Sequence, residues 1–378
     1  MSAIGAATVG FVLPRAAQAA SAAYGNLLIL VELKGGNDGL NTVVPYAAPE
    51  YYSLRPRLAI PREQVLQLDS LTGLHPALQP LMSLWDSREL AVVQGIGYPN
   101  ANLSHFRSIE IWDTASSSNE YLREGWLART FGLAPAPAAY AADGVVVGGG
   151  EFGPLAGGGT RAIALANTEQ FLRQARLAAP SAEVRSGPLR HILKVESDII
   201  QAAGNMSADY PFGTEFPRTP FGNAIRTAAQ VVASKAGVAA IKVSLNGFDT
   251  HSGQLATQAR LLKDLADGLV ALKGALVEVG RWQSTLVMTY AEFGRRAREN
   301  QSAGTHHGTA SSYFVLGGKV KGGLYGEAPA LARLDGNGNL PHALDFRELY
   351  ATVLERWWGV AASGPLRGRY APLEVVRV

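Results

Sequence analysis

The fold of this chain is decided by the stretch Leu27-Leu28-Ile29-Leu30-Val31-Glu32-Leu33-Lys34-Gly35-Gly36-Asn37-Asp38-Gly39-Leu40-Asn41-Thr42. An apolar run of this length is typical of a buried parallel strand. The glycines that follow let the backbone turn sharply and bring Asp38 to the carboxyl end of the strand. Open α/β sheets bind their ligands at that end of their strands. A single segment of this kind is more often a strand followed by a structural turn.

Three further segments repeat this pattern, which favours a functional site at the edge of the sheet over a single structural turn. Residues 90–100, 240–251 and 284–295 also place turn-forming or polar residues directly after an apolar strand. Because the carboxyl ends of parallel strands share one edge of a sheet, we expect the polar residues after these strands to lie together. They are Asp38, Asp249, His251 and Glu292.

Helical periodicity separates the predicted strands. The predicted helices span residues 76–85, 121–131, 223–235 and 254–279, with a closing helix through residues 349–357. This alternation predicts an α/β fold with a doubly wound, mainly parallel sheet and helices on both faces. Residues 134–220 lose the periodicity, and we predict that they form an insertion or cap within a single domain of residues 24–378.

Composition excludes several classes of function. The 378 residues are 47% hydrophobic and 17% charged, so the chain can bury a large core. The absence of cysteine excludes disulfides, thiol catalysis and thiolate metal sites, and leaves His and carboxylate as metal ligands. A net charge of +3 on scattered basic residues is not the pattern of a nucleic-acid binder. The sequence also lacks a G-x-S-x-G elbow and a P-loop, and it leaves the oligomeric state open.

The first 23 residues are typical of an export signal. An apolar stretch too short to span a bilayer precedes Ala17-Gln18-Ala19, a small-x-small cleavage pattern. The basic n-region is missing, so we expect the true start to lie upstream, with a twin-arginine motif as one form it can take. The alternative is a small-residue helix of the mature protein. Export predicts a periplasmic or secreted protein without a stable membrane span.

Two clusters have the residue types of a metal site. Asp249 and His251 are two residues apart, so in an extended segment both side chains point to the same side. Helix capping by Asp249 beside a surface His251 explains this motif equally well. His306 and His307 lie between glycines that would let the backbone approach a ligand, although a flexible surface loop has the same composition.

A third cluster carries a hydroxyl and a guanidinium. Ser104 precedes a predicted helix and Arg107 lies in its first turn, an arrangement suited to a nucleophile and an oxyanion clamp. By residue chemistry alone, an N-cap serine and a solvated arginine are the better interpretation.

Together these motifs resemble a large family of exported bacterial proteins, the domain of unknown function 1501, which is related to the alkaline phosphatase and sulfatase superfamily. The resemblance covers nearly the whole mature chain. Its motifs are residues 33–46, 104–106, 125–127, 249–251, 292–295, 304–308 and 345–347.

The resemblance implies a role for each matching residue. Ser104 resembles the superfamily's nucleophile. With Ser104 in that role, Arg107 would bind the oxyanion of the substrate. The positions that resemble metal ligands are Asp38, Asp249, His251, Glu292, His306 and His307. We assign substrate binding to Asn37, His105 and Arg295. The implied cofactor is one or two divalent ions of Zn, Mn, Ca or Mg.

Departures from the superfamily pattern limit the resemblance. Glu292-Phe293 stands where the superfamily has Asp-His, so one imidazole ligand of a second metal site is missing. Phe106 stands where sulfatases have Pro, and no Cys is present, which argues against a formylglycine-type sulfatase.

The sequence therefore predicts an exported, metal-dependent hydrolase of phosphate or sulfate esters with a serine nucleophile. Its substrate would be a small-molecule or polymer-linked anionic ester. The alternative is a non-catalytic binding or assembly protein of the cell envelope that keeps the fold and an anion-binding cleft.

Overall fold

Strands and helices alternate along the computed structural model, which describes residues 23–165, 210–234 and 237–377. The strands are β1 (Leu27–Lys34), β2 (Val43–Val44), β3 (Leu66–Gln67), β4 (Gly73–Leu74), β5 (Leu90–Gly97), β6 (Ala142–Val147), β7 (Ala162–Leu165), β8 (Val238–Asn246), β9 (Thr285–Tyr290), β10 (Gly294–Arg295), β11 (His307–Gly308), β12 (Ser311–Leu316), β13 (Gly323–Gly326) and β14 (Leu344–Asp345). The α-helices are α1 (Gly39–Thr42), α2 (Pro49–Leu54), α3 (Met82–Asp86), α4 (His105–Thr114), α5 (Trp126–Leu133), α6 (Pro220–Ala233), α7 (Gln254–Glu278) and α8 (Phe346–Ala351).

The central sheet has the strand order β13-β5-β12-β9-β1-β8-β6-β7, with β14 paired to β5. Among these strands β12 runs antiparallel to its neighbours, and the other pairs are parallel. Strand β1 lies between β8 and β9, so three of the four strands predicted from sequence are adjacent. Their carboxyl ends meet at one edge of the sheet. The predicted fold class, a doubly wound and mainly parallel α/β sheet, is confirmed.

The long helix α7 matches the predicted bounds to within one residue, and its leucine stripe is buried from Leu261 to Leu276, whereas Leu255 in the first turn is exposed. The predicted helix over residues 76–85 is instead a 3-10 helix, Pro76–Leu81, that continues into α3. Pro80 has no backbone N–H for the α-helical hydrogen bond, which explains the tighter turn. The predicted closing helix divides into α8 and a π-helical turn, Thr352–Trp357.

Helix α5 begins at Trp126, five residues later than the predicted start. Gly125 occupies the N-cap position, and a Cβ atom there would lie 2.1 Å from the carbonyl oxygen of Pro154. The close approach of these two backbones therefore requires glycine and sets where the helix can begin.

The predicted insertion, residues 134–220, is described in part. Strands β6 and β7 fall within it, and both belong to the central sheet beyond β8. Residues 142–165 therefore extend the sheet itself. Residues 166–209 lie outside the described residues, as does the predicted export signal before residue 23.

Helix α4 carries its first residue, His105, to the carboxyl edge of the sheet. Trp112 anchors the helix from within the core, and its ring stacks on Phe346 with the ring centroids 4.3 Å apart. Stacked aromatic rings of this size bury a large apolar area and hold one another in place. In the described ranges, no helix is both long and apolar enough to cross a membrane.

Candidate metal centre

Three imidazoles surround the carboxylate of Asp249 at the carboxyl edge of the sheet. Oδ1 of Asp249 lies 2.9 Å from Nε2 of His251 and 3.0 Å from Nε2 of His307. Oδ2 lies 3.4 Å from Nε2 of His105. The two Nε2 atoms of His251 and His307 are 3.0 Å apart. We call these four residues the histidine cluster.

The hydrogen bonds made by the Nδ1 atoms determine which ring nitrogen of each histidine is available to bind a metal. Nδ1 of His307 lies 2.8 Å from the carbonyl oxygen of Leu103, which can only accept a hydrogen bond. Nδ1 must therefore carry the proton, and a neutral His307 has a bare Nε2. Nδ1 of His105 similarly lies 2.8 Å from Oε1 of Glu292. Metal-binding histidines are typically held in this way, by a carboxylate or carbonyl on the outer nitrogen.

Glu292 is held in place by the glycine turn that follows β1. Its carboxylate accepts hydrogen bonds from the backbone N–H of Gly35, at 2.9 Å, and of Gly36, at 3.1 Å. These residues have φ angles of +114° and +81°, and a Cβ on Gly35 would lie 2.4 Å from the backbone nitrogen of Asp249. Successive N–H groups in such a turn form a concave anion site. The glycines therefore position the carboxylate that orients His105.

The buried side chain of Arg295 orients the carboxylate of Asp249. The guanidinium is 1% exposed and donates to Oδ1 of Asp249 at 2.6 Å and to the carbonyl oxygens of Gly36 and Thr305. Burial alone would raise the pKa of Asp249, but the hydrogen bond and charge of Arg295, with His307 and His251 beside the same carboxylate, outweigh it and lower this pKa to about 2. Asp249 is thus ionised, as a metal ligand must be. The donors of Arg295 face protein acceptors, so the structure gives it a positioning role.

Asp38 lies outside the histidine cluster. It caps helix α1, and its Oδ2 accepts hydrogen bonds at 2.5 Å from both Arg55 and Gln254. The side chain is 1% exposed. Its neighbour Asn37 is fully buried and hydrogen-bonds Thr42. Both residues stabilise the turn after β1, and neither faces the cavity.

The other residues predicted to form the site are either exposed at the surface or held in structural contacts. Ser104 is the exposed N-cap residue of α4, and its side chain makes no capping hydrogen bond. Arg107 pairs with Glu110 at 2.9 Å, donates to the carbonyl oxygens of residues 117, 118 and 120, and stacks 3.9 Å above the ring of Tyr121. Its guanidinium is therefore occupied. His306 is exposed and lies beside the ring of His251.

A cavity of about 710 Å³ opens beside the histidine cluster. His105, Asp249 and Glu292 form one end of it, and Phe106 and Leu122 contribute apolar walls. Pockets of this volume are typical of small-molecule sites. The sheet supplies its floor through Glu32 and Lys34.

The polar residues of this cavity floor were not among the site residues predicted from the sequence. Glu32 and Lys34 alternate with buried apolar residues in β1, and Lys242, Ser244 and Asn246 do so in β8. Polar residues at every second position of an otherwise apolar strand share one face. That alternation is the signal by which the floor could have been found.

Comparison with known families identifies the chain. The family described as "Protein of unknown function (DUF1501)" matches residues 71–366. The chain belongs to this family, as its motifs indicated. A comparison with curated proteins gives no match.

Solved structures align with most of the chain at low identity. The lipoteichoic acid synthase LtaP from Listeria monocytogenes aligns with 91% of this chain and 75% of its own, at 11% identity and a TM-score of 0.41. The PsFucS1 sulfatase from Pseudoalteromonas sp. aligns with 92% and 70%, at 12% identity and 0.43. The C-terminal periplasmic domain of EcEptC from Escherichia coli, in complex with Zn, aligns with 93% and 92%, at 10% identity and 0.39. Similarity at this level assigns no activity or substrate to the chain.

Proposed function

We propose that this protein is an exported, divalent-metal-dependent hydrolase of phosphate or sulfate esters. The observation that carries the proposal is the convergence of Nε2 of His251 and Nε2 of His307 on one ionised carboxylate oxygen of Asp249, within 3.0 Å. Bare imidazole nitrogens and a carboxylate are the ligands that Zn and Mn sites use in proteins. Esters of phosphate or sulfate are the substrates implied by the family resemblance.

The donor set fits one ion better than two. His105, Asp249 and His307 would hold it, because their ligand atoms all lie within 4.8 Å of one another, with His251 beside them on the same carboxylate of Asp249. Their imidazole majority favours Zn or Mn over Ca or Mg. Burial lowers the pKa of His251, and Arg295 acts in the same direction against Asp249. This keeps the ring in the neutral form that binds metal. Asp38 and Glu292, which a second ion would need, are engaged with protein donors.

The chemistry assigns a separate task to each residue. A divalent ion bound at the histidine cluster would supply a Lewis acid for the ester oxygen and lower the pKa of a nearby hydroxyl. The exposed hydroxyl of Ser104, directly before His105 in the chain, is the proposed nucleophile. Glu292 holds His105, and Arg295 holds Asp249, so both act as positioning residues.

Metal analysis combined with ester hydrolysis tests the proposal. The purified chain is reconstituted separately with Zn, Mn, Mg and Ca, then assayed for bound metal and for hydrolysis of an aryl phosphate and an aryl sulfate. Ser104→Ala should abolish turnover and keep the metal, whereas Asp249→Ala should lose both. Ser83→Ala, which removes another exposed hydroxyl, is the matched control and should keep both.

The outcomes separate the two functions considered from sequence. Stoichiometric metal with hydrolysis of either ester supports the hydrolase. Bound metal without hydrolysis of either ester contradicts it and favours the non-catalytic binding or assembly protein of the cell envelope. A chain that folds and binds none of the four metals contradicts the metal centre itself.

A further inference from the structure

Helix α4 carries apolar side chains beside the candidate metal centre. His105 is the first residue of this helix, Phe106 follows it, and Ile109 lies one turn further along. Residues three or four positions apart on a helix lie side by side, so Ile109 is a neighbour of both His105 and Phe106. All three residues line the cavity, together with Leu122 from the segment between α4 and α5. We call Phe106, Ile109 and Leu122 the apolar wall.

The apolar wall remains accessible in the folded chain. Phe106 is 89% exposed, and Ile109 and Leu122 are partly exposed. A single exposed apolar residue is common on a protein surface, but three that line one cavity of about 710 Å³ are not scattered in this way. Contact with an apolar group would remove their surface from water, and such burial is favourable in proportion to the area covered. The wall therefore favours an apolar occupant.

The base of the cavity offers little to a hydrophilic group. Glu32 lies there but is 1% exposed. Its Oε2 lies 2.9 Å from Nζ of Lys242 and accepts a hydrogen bond from the hydroxyl of Ser244 at 2.8 Å. A group rich in hydroxyls needs accessible hydrogen-bonding partners to replace the water that it loses on binding. The base is therefore poorly suited to such a group, whereas an apolar group needs no partner there.

The charges around the cavity suit an anionic ester. Two accessible carboxylates of the lining already have basic partners, since Glu110 pairs with Arg107 at 2.9 Å and Glu151 pairs with Lys34 at 2.5 Å. Arg123 also lines the cavity, and the structure gives it no ion pair with any described residue. A cationic alcohol part would have to compete with Arg107 and Lys34 for these carboxylates, whereas the positive charge of Arg123 is available to an anion.

We propose that the apolar wall binds the alcohol part of the ester, and that this part is an apolar group, an alkyl chain or an aryl ring. His105 and Asp249 line the same cavity, so an ester whose phosphate or sulfate lies at the histidine cluster would place its alcohol part along the wall. Phe106, the most exposed residue of the wall, then determines which esters bind. This assignment to the substrate rests on the proposed function, whereas apolar binding rests on the cavity lining alone.

Alkylphosphonates test the wall without turnover, because ester hydrolysis cannot cleave their C–P bond. The intact chain, reconstituted with Zn, is titrated by calorimetry with ethyl-, butyl- and hexylphosphonate, which share one anionic group and differ in chain length. A fully buried CH2 group strengthens binding by up to about fourfold. Partial contact along the longer chain should therefore make hexylphosphonate bind about tenfold or more tightly than ethylphosphonate. Phe106→Ala should lower this ratio by about threefold or more.

Leu133→Ala is the matched control, because Leu133 is 66% exposed and lies outside the cavity lining. It should keep the affinity ratio of the unaltered chain. Equal affinity for the three phosphonates, no binding of hexylphosphonate, or a ratio that Phe106→Ala leaves unchanged would each overturn the proposal. Ester hydrolysis together with equal phosphonate affinities would uphold the proposed function and overturn the apolar wall as a binding site. Binding that strengthens with chain length and depends on Phe106, without ester hydrolysis, would do the reverse.

Discussion

Replacing Asp113 by Asn should change how the stability of the protein depends on pH. Aspartate has a usual pKa of 3.8, and burial raises that of Asp113 to about 8 in the folded chain. Between these values the folded state keeps a proton that the unfolded state has released. Rising pH therefore favours unfolding across this interval, and stability contributed by protonated Asp113 is fully present below about pH 4.

The size of the effect follows from the interval between the two pKa values. One proton of difference lowers the free energy of unfolding by about 1.4 kcal/mol for each pH unit. Over the whole interval the loss is on the order of 6 kcal/mol at most. Asparagine keeps the shape of the side chain and cannot ionise. Relative to the unaltered chain, Asp113→Asn should gain stability as pH rises to about 8 and show no further gain above it.

Urea unfolding of both proteins at one-unit steps between about pH 5 and pH 9 measures this difference. Comparing the two at each pH cancels the titration of every other group. Asp86→Asn, which removes an exposed carboxylate, is the control for the loss of one ionisable side chain. A stability difference that stays constant with pH would refute the reasoning. So would a relative stability of Asp113→Asn that falls as the pH rises.

Three further predictions concern the metal centre, the glycine turn and export. Glu292→Gln leaves one acceptor oxygen for the N–H groups of Gly35, Gly36 and His105, so His105 is held less firmly. Metal affinity, measured by chelator competition, should fall about 10- to 100-fold while circular dichroism shows an intact fold. Unchanged affinity would contradict the orienting role of Glu292. Gly36→Ala places a Cβ atom on a backbone with φ +81° and 2.4 Å from the ring of Phe293. The free energy of unfolding, measured in urea, should therefore fall by about 1–3 kcal/mol. Gly25→Ala, where a Cβ has open space, should cost far less, and equal losses would argue against strain. N-terminal sequencing of the exported protein should find a start between Ala20 and Gly25; an intact first residue would contradict cleavage.

Local patterns in the sequence determined strands β1, β5, β8 and β9, the long helix and the family. An apolar run such as β1 and the leucine stripe of α7 report burial through periodicity, which neighbouring residues encode by themselves. The Asp249-Thr250-His251 motif placed two members of the histidine cluster, because two residues of spacing in extended backbone put both side chains on one side.

Only the tertiary structure decided what each polar side chain binds. Asp38 had the right position after β1, yet Arg55 and Gln254 take its carboxylate, and Gln254 is 216 residues away in sequence. Glu292 is likewise held by the N–H groups of Gly35 and Gly36, which reach it only because β1 and β9 are adjacent in the sheet. A hydrogen bond depends on distances of a few tenths of an ångström between segments far apart in the chain. Strand order and register set those distances, and no local pattern encodes them.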